Sequence, residues 1–187
     1  VETEAEEARW NKLIRKHHYL QEHRMVGESL RYVAKQKGEW IALLGWSSAA
    51  FHLRARDAWI GWTDNLRKSR RCLVACNARF VLLRPKSASR HLASQILSRN
   101  LRCLSGDWRR RYGHPIALVE TFVDPERFEG TCYRAANWME IGVSKGFGRS
   151  RLDFYQLHDK PKAIFLYALA SQARQILSAP TMPPAWA

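Results

Sequence analysis

The residue with the clearest chemical potential is an acid in the wrong company. Glu120 sits inside an otherwise apolar run, IALVETFV at 116–123. A buried, ionised carboxylate without a partner is strongly unfavourable. Either an arginine or backbone donors hold it, or it faces a cleft where a raised pKa suits a general base near neutral pH. Tyr133 and Asn137 stand four apart in GTCYRAANW, so a helix would present both on one face. A phenol there can serve as a general acid and an amide can orient a substrate. His18, in His17-His18-Tyr19, is either a core or capping histidine or a fourth member of the same cleft. The loop RPKSAS at 84–89 follows an apolar strand and opens a helix. Backbone N–H groups at such a helix start attract anions, and Arg84, Lys86 and Arg90 add charge. The alternatives are an ordinary basic helix start and contact with nucleic-acid phosphates. Arg67, Lys68, Arg70 and Arg71 on one segment, and Lys145, Arg149 and Arg151 around a Gly-rich turn, are candidate phosphate contacts. Each set is otherwise a solvated face.

These residues need elements to position them. Residues 3–20 read as a helix with acids in the first turn and bases in the last. Residues 30–48 read as a hairpin turning at Gln36-Lys37-Gly38. Helices are expected over 48–57, capped by Ser47 or Ser48, and over 63–72, capped by Thr63. A strand follows at 78–83, and a helix at 89–104. Asp107 is expected to cap a separate short turn, DWRRRYG. The 116–123 strand, a polar connection at 153–162, a strand at 162–169 and a last short helix complete the order. Along 116–123, alternation sets Leu118, Glu120 and Phe122 on one face and Val119, Thr121 and Val123 on the other. The segment 78–123 is strand–loop–helix–strand, a right-handed crossover if the strands are parallel. The expected architecture is α/β or α+β: one domain over 1–175 with a mixed β-sheet flanked by helices, and a loose Pro-rich tail at 176–187.

The totals constrain the setting. The chain has 187 residues, 46% of them hydrophobic, enough for one folded core. The formal net charge of +14 points to a polyanionic partner, most simply nucleic acid. Solubility or contact with an acidic protein are the alternatives. No apolar run reaches membrane-spanning length, and the acidic start is unlike a signal peptide, so a cytoplasmic location without membrane association is expected. Cys72, Cys76, Cys103 and Cys132 contain no C-x-x-C pair and are expected as buried free thiols rather than zinc ligands. The P-loop, nucleophile-elbow and H-E-x-x-H signatures are absent from the sequence. Asp57, Asp107, Glu120 and Asp124 would make a metal-dependent nuclease only if the fold gathered them. No metal is expected.

Two resemblances add to this reading. The arrangement of Arg84, Ser87 and Ser89, with the order of elements around it, resembles the pyrophosphate loop of GNAT-type N-acetyltransferases. Glycines usually stand there at the two serine positions. That resemblance implies a GNAT-like fold, acetyl-CoA or another acyl-CoA as cofactor, and Arg84, Ser87, Ser89 and Arg90 as its phosphate cradle. In that scheme Glu120 is the base and Tyr133 the acid. The second resemblance rests on HHYL (17–20), RDAWIGW (56–62), NARFVLL (77–83), HLASQILS (91–98), DWRRRYG (107–113), ETFVD (120–124), GTCYRAANW (130–138) and GFGR (146–149). In this order they resemble the Druantia anti-phage defence protein A family, also found beside transposases. Its members are expected to carry a further winged-helix-like segment ahead of this region. The resemblance implies a defence or mobile-element setting, with other defence proteins as partners. It marks His18, Asn77, Arg79, Asp107, Glu120, Asn137 and Trp138 as cleft candidates. A non-enzymatic DNA-binding subunit and a nuclease are the competing functions.

Overall fold

The hairpin is set by two residues. Lys37 and Gly38 both take positive φ, 51° and 80°, as a two-residue turn matched to strand twist requires. β1 (Ser29–Gln36) therefore folds back directly as β2 (Glu39–Ser48). Ahead of it, α1 (Glu4–His17) is capped by Thr3, whose hydroxyl accepts from the Glu6 amide. The remaining elements are α2 (Arg54–Ile60), α3 (Asp64–Arg70), β3 (Val74–Leu82), α4 (Leu92–Tyr112), β4 (Leu118–Val123), α5 (Thr131–Ala135), β5 (Met139–Val143), β6 (Phe147–Arg149), β7 (Tyr155–Leu157), β8 (Ala163–Ala168) and α6 (Ala173–Ser178). The computed structural model describes residues 1–186 apart from 23, 86–90, 146, 150–154 and 158–159; side chains of 147–149, 155–157 and 185 are also not described.

Six strands form one mixed sheet in the order β1-β2-β3-β4-β8-β5. Every neighbouring pair is antiparallel except β3–β4, which is parallel and joined by the long α4 crossover. β6 and β7 pair separately. One face carries α4 and α5 over Trp46, Ala75, Val119, Val123 and Phe165. The opposite face has two cores. One packs Trp10 and Ile14 of α1 on Leu43 and Val81. The other packs Ile60 of α2 and Ile176 and Leu177 of α6 on Val74, Leu118 and Leu166. The expected mixed sheet flanked by helices is thus present. No helix among the described residues is long and apolar enough to cross a membrane.

Several local expectations change. α2 starts at Arg54, not near Ser48, and runs through the aromatic stretch to a left-handed stop at Gly61 (φ 84°). Its N-cap is Leu53, without a side-chain cap bond. α4 continues through DWRRRY to Tyr112, so Asp107 caps nothing and instead accepts from the Tyr32 hydroxyl at 2.8 Å. The apolar stripe extends to Trp108, which is fully buried, and that burial carries the helix past the polar residues between. An additional edge strand, β5, leads into the Gly-rich turn, that turn holds β6, and the polar connection contains β7. The Pro-rich tail makes contacts with the body of the domain. Met182 and Trp186 pack on the α2/α6 core, and Arg70 donates to the Ala179 carbonyl at 3.2 Å. Of the four free thiols only Cys76 is buried; Cys132 is half-buried, and Cys72 and Cys103 are exposed.

Gly130 starts α5 with φ 72°, and a Cβ there would lie 2.8 Å from Phe165 Cζ. Gly113 has φ 85°, and a Cβ there would meet nothing within 4 Å. Gly113→Ala is expected to cost about 1–2 kcal/mol from backbone strain alone. Gly130→Ala adds about 1–3 kcal/mol of overpacking. Urea unfolding with an unchanged slope, and a lower midpoint for Gly130→Ala than for Gly113→Ala, checks this.

Candidate functional site

The parallel ladder between β3 and β4 is short. It pairs Val74 with Leu118, Ala75 with Val119 and Cys76 with Glu120, and then the strands part. β3 continues to Leu82 against β2, and β4 to Val123 against β8. The cause is local. A register shift opposite Gly45/Trp46 makes a bulge in β3 at Ala78. The carbonyl of Asn77 accepts from the Thr121 hydroxyl at 3.0 Å. A side chain thus satisfies a group that the ladder would otherwise claim.

The opening is lined on the α4/α5 face by uncharged polar groups. The Tyr133 hydroxyl donates to Asn77 Oδ1 at 2.8 Å and lies 3.4 Å from Thr121 Oγ1. Asn77 Nδ2 reaches the carbonyls of Gly45 at 3.4 Å and Arg79 at 3.3 Å, which fixes the amide. Burial pushes the Tyr133 phenol well above its ordinary pKa, so it stays protonated. Phe80, Trp138 and Phe165 surround the ring.

The bulge turns Arg79 to the other face. Its guanidinium donates to the carbonyls of Glu22 (2.5 Å), Ala78 (2.7 Å) and Arg24 (3.1 Å). The segment following α1 is thereby tied over β3. His18, in this segment, is buried, and its Nδ1 accepts from the Leu20 amide at 3.3 Å. That bond places the ring proton of the neutral tautomer on Nε2. Burial, with Arg79 and Lys162 adding positive charge, brings His18 down to about 4. Tyr19 packs edge-on against Phe128 and under Arg127. Asp124 ends β4, accepting from the Glu126 amide at 3.1 Å and pairing with Arg127 at 3.5 Å. The structure therefore gathers His18, Asn77, Arg79 and Tyr133 where β3 and β4 part.

Glu120 is not in that group. It is fully buried on the α2 face, with Oε2 2.8 Å from Arg56 Nη1 and Oε1 accepting the Ala50 amide at 2.7 Å. Arg56 is itself fully buried and also holds Asp57 Oδ1 at 2.7 Å and the Ala50 carbonyl at 2.8 Å. Burial pushes the Glu120 carboxyl up, while the Arg56 charge and the Ala50 amide oppose that shift. Both oxygens are engaged and neither meets solvent, so in this geometry the acid is a structural partner and not an available base. Arg56 is the residue that sequence reasoning missed; a cation inside the helix that ends in DAWIGW was its signal. Thr121 was missed too, because its role exists only where the ladder ends.

Other expected positions divide. α5 ends at Ala135, and Asn137 sits exposed in a left-handed turn (φ 63°), so it does not share a helical face with Tyr133. Trp138 is core, 6.4 Å from Trp46 in a stack, with its Nε1 lacking an acceptor among the described residues. Arg67 and Arg70 are turned inward, because α3 must bury one side against Asp57 and the tail: Arg67 pairs with Asp64 at 2.9 Å, and Arg70 serves the tail carbonyls. Lys68 and Lys145 are exposed, and Arg71 donates to the Ala49 carbonyl at 3.1 Å. Arg84 pairs with Glu39 at 3.3 Å beside the end of β3. Ser87, Ser89, Arg90 and Arg151 lie outside the described residues, as does the side chain of Arg149. The four acids of the nuclease reading are dispersed: Asp57 and Glu120 on Arg56, Asp107 on Tyr32, and Asp124 on Arg127. No group of three or more His, Cys, Asp or Glu side chains suited to a metal occurs among the described residues.

Comparison with known proteins places this geometry in context. A family model, described as Druantia protein DruA, matches residues 1–176. No curated protein matches the sequence. Among solved structures, the aminoglycoside acetyltransferase AAC(6')-Ib in complex with coenzyme A aligns at 16% identity over 78% of this chain and 68% of that one, with a TM-score of 0.50. The same enzyme with ribostamycin and coenzyme A aligns at 16% identity over 82% and 70%, also with a TM-score of 0.50. The likeness is one of fold: a GNAT-type mixed sheet.

Two measurements test the two faces. Arg56→Leu leaves Glu120 buried without its cation and is expected to cost about 3–5 kcal/mol in denaturant unfolding. Arg56→Met combined with Glu120→Leu recovers most of that loss. Because His18 titrates lower in the folded state than its ordinary 6.5, its contribution is complete above that pH and is lost as pH falls toward about 4. An NMR titration should give a His18 midpoint near 4, and His18→Asn should flatten the fall in stability across that window.

Proposed function

The chain belongs to the Druantia protein DruA family, and from that premise we propose that it serves anti-phage defence as an acyl-CoA-dependent acyltransferase that engages nucleic acid. The observation carrying the proposal is the parting of β3 and β4 immediately after Cys76–Glu120, with the Tyr133 hydroxyl held in the opening by Asn77 and Thr121. The residues present fit an acyl-CoA at its reacting end. Beyond Cys76, β3 has an edge that β4 does not pair, and an amide-containing arm can lie along such an edge as an added strand. Arg84, which follows the end of β3 and pairs with Glu39, is the described cation that would hold the cofactor's phosphates. When bound, an acyl-CoA would supply an activated acyl group and a thiolate leaving group.

The chain's own residues have separable tasks. Tyr133 keeps its proton on Oη, donated to Asn77 Oδ1 in this geometry, and its task is to exchange that bond for one to negative charge developing beside it. Asn77 and Thr121 are positioning residues, since they aim that hydroxyl. His18 remains neutral and provides an N–H without charge, while Arg79 keeps the segment after α1 in place. Glu120 has no proton-transfer task in this reading. The net charge of +14 supports a nucleic-acid partner for the same protein, in a cytoplasmic setting with other defence components.

A second reading, a DNA-binding subunit without catalysis, is favoured by one observation: the acid expected as base is sealed in an ion pair. Thermal unfolding separates the two. At 100 times its Kd, acetyl-CoA stabilises the folded state by about 2.7 kcal/mol, a rise of about 5–10 °C for a domain of this size. Tyr133→Phe should retain that rise yet lose thioester turnover by about 100-fold or more. No rise at millimolar acetyl-CoA would leave the non-catalytic reading standing.

A further inference from the structure

A depression between α2 and α3 is untouched by the acyl-transfer geometry. It encloses about 380 Å³ and is lined by His52, Arg54, Asp57, Ala58, Trp62 and Arg67. That volume falls within the range of small-ligand sites. We infer that it seats one nucleotide of a single-stranded nucleic acid, with the base among the aromatic rings and the flanking phosphates on Arg54 and Lys68. The inference rests on the nucleic-acid half of the reading above and gives that half a place and a strand state.

Charge comes first. Asp57, the one acid in the lining, is already held by Arg56 at 2.7 Å. Arg54 is exposed and has no acceptor among the described residues. Arg67, turned inward, pairs with Asp64 at 2.9 Å and lies 3.7 Å from Asp57, and its buried Nε finds no acceptor among the described residues. Lys68 and Arg71 lie on the same short helix and the turn after it. The rim therefore carries an excess of positive charge over a lining whose only carboxylate is occupied.

The aromatic groups come second. Phe51 is 44% exposed, a large apolar ring left at the surface. His52 meets it edge-on at 4.6 Å, and the Arg67 and Arg71 guanidiniums lie 5.8 and 5.3 Å from its centre. Trp62 is locked by its Nε1–H on the Leu177 carbonyl at 2.7 Å and by Arg56 at 5.3 Å from the ring. Rigid rings interleaved with cations suit unstacked bases, whose faces are available, and stacking tolerates any base.

Strand state comes third. A duplex presents phosphates and keeps its base faces stacked, so it needs an outward row of cations. α3 does not present one, since Arg67 and Arg70 are turned inward and Lys68 alone of its basic residues is fully exposed. A concave, aromatic site of this kind is addressed by a single strand.

Fluorescence anisotropy with labelled oligothymidylate, oligouridylate and a mixed-sequence duplex tests the inference on the full chain. Binding of either single strand is expected to exceed binding of the duplex. Phe51→Ala should weaken it about tenfold, as for loss of one stacking platform. Arg54→Ala should weaken it and lower the slope of log affinity against log salt by about 1. Both side chains are exposed, so circular dichroism should be unchanged. If single strands bind and neither variant matters, the depression is not the seat, and the broader nucleic-acid reading survives. Tighter duplex binding overturns the single-strand assignment. If no nucleic acid binds at low salt, the nucleic-acid reading falls with it, while the acetyl-CoA thermal shift still judges acyl transfer separately.

Discussion

The Arg56–Glu120 ion pair, with neither group exposed to solvent, is the constraint around which this fold is arranged. Glu120 belongs to the last residue pair of the β3–β4 ladder, and Arg56 belongs to α2. One buried contact thus joins a surface helix to the centre of the sheet at the point where the sheet begins to open. Removing water from two charges is unfavourable unless each keeps its hydrogen bonds. Here Ala50 supplies an amide to the acid and a carbonyl to the base, and Asp57 takes the other edge of the guanidinium. The segment after β2, the start of α2 and the middle of β4 are consequently fixed relative to one another.

The opposite face is built from a different kind of polar group. Asn77, Thr121 and Tyr133 form a neutral network with no ionised member. Such a network holds the opening without competing charges, with the phenolic proton donated to Asn77 beside a strand edge. The bulge at Ala78 links the two faces, because one extra residue in β3 sends Arg79 to the α1 side while Asn77 stays with Tyr133. The β4 alternation puts the Glu120 charge on one face and Thr121 on the other, and the β3 bulge adds Arg79 to the charged side.

The same separation explains the surface. α3 is basic in sequence, yet two of its arginines are consumed in holding Asp57, Asp64 and the C-terminal segment. Formal charge therefore overstates what α3 presents to a polyanion. What remains outward is Arg54 in the lining of the depression, the exposed Phe51 ring and a single exposed lysine, Lys68, on α3, rather than an extended basic row.

Much of this was legible in the chain itself. The hairpin at Lys37-Gly38, the Thr63 cap, the alternation that sends Leu118 and Glu120 one way and Val119 and Thr121 the other, and the mixed sheet all follow from local preferences and periodicity. Those signals act over a few residues, so sequence alone determines them. Ordered motifs likewise carried the family. Sequence could state that Glu120 had to be paired or placed in a cleft, but not which. The decision depends on Arg56, 64 residues away in the chain. The same holds for Asn77 meeting Tyr133 across 56 residues, for the inward turn of Arg67 and Arg70, and for α4 absorbing Asp107. Only the tertiary structure settles these, because long-range pairing and burial outweigh local propensity, and no spacing along the chain encodes which distant partner will satisfy a buried polar group.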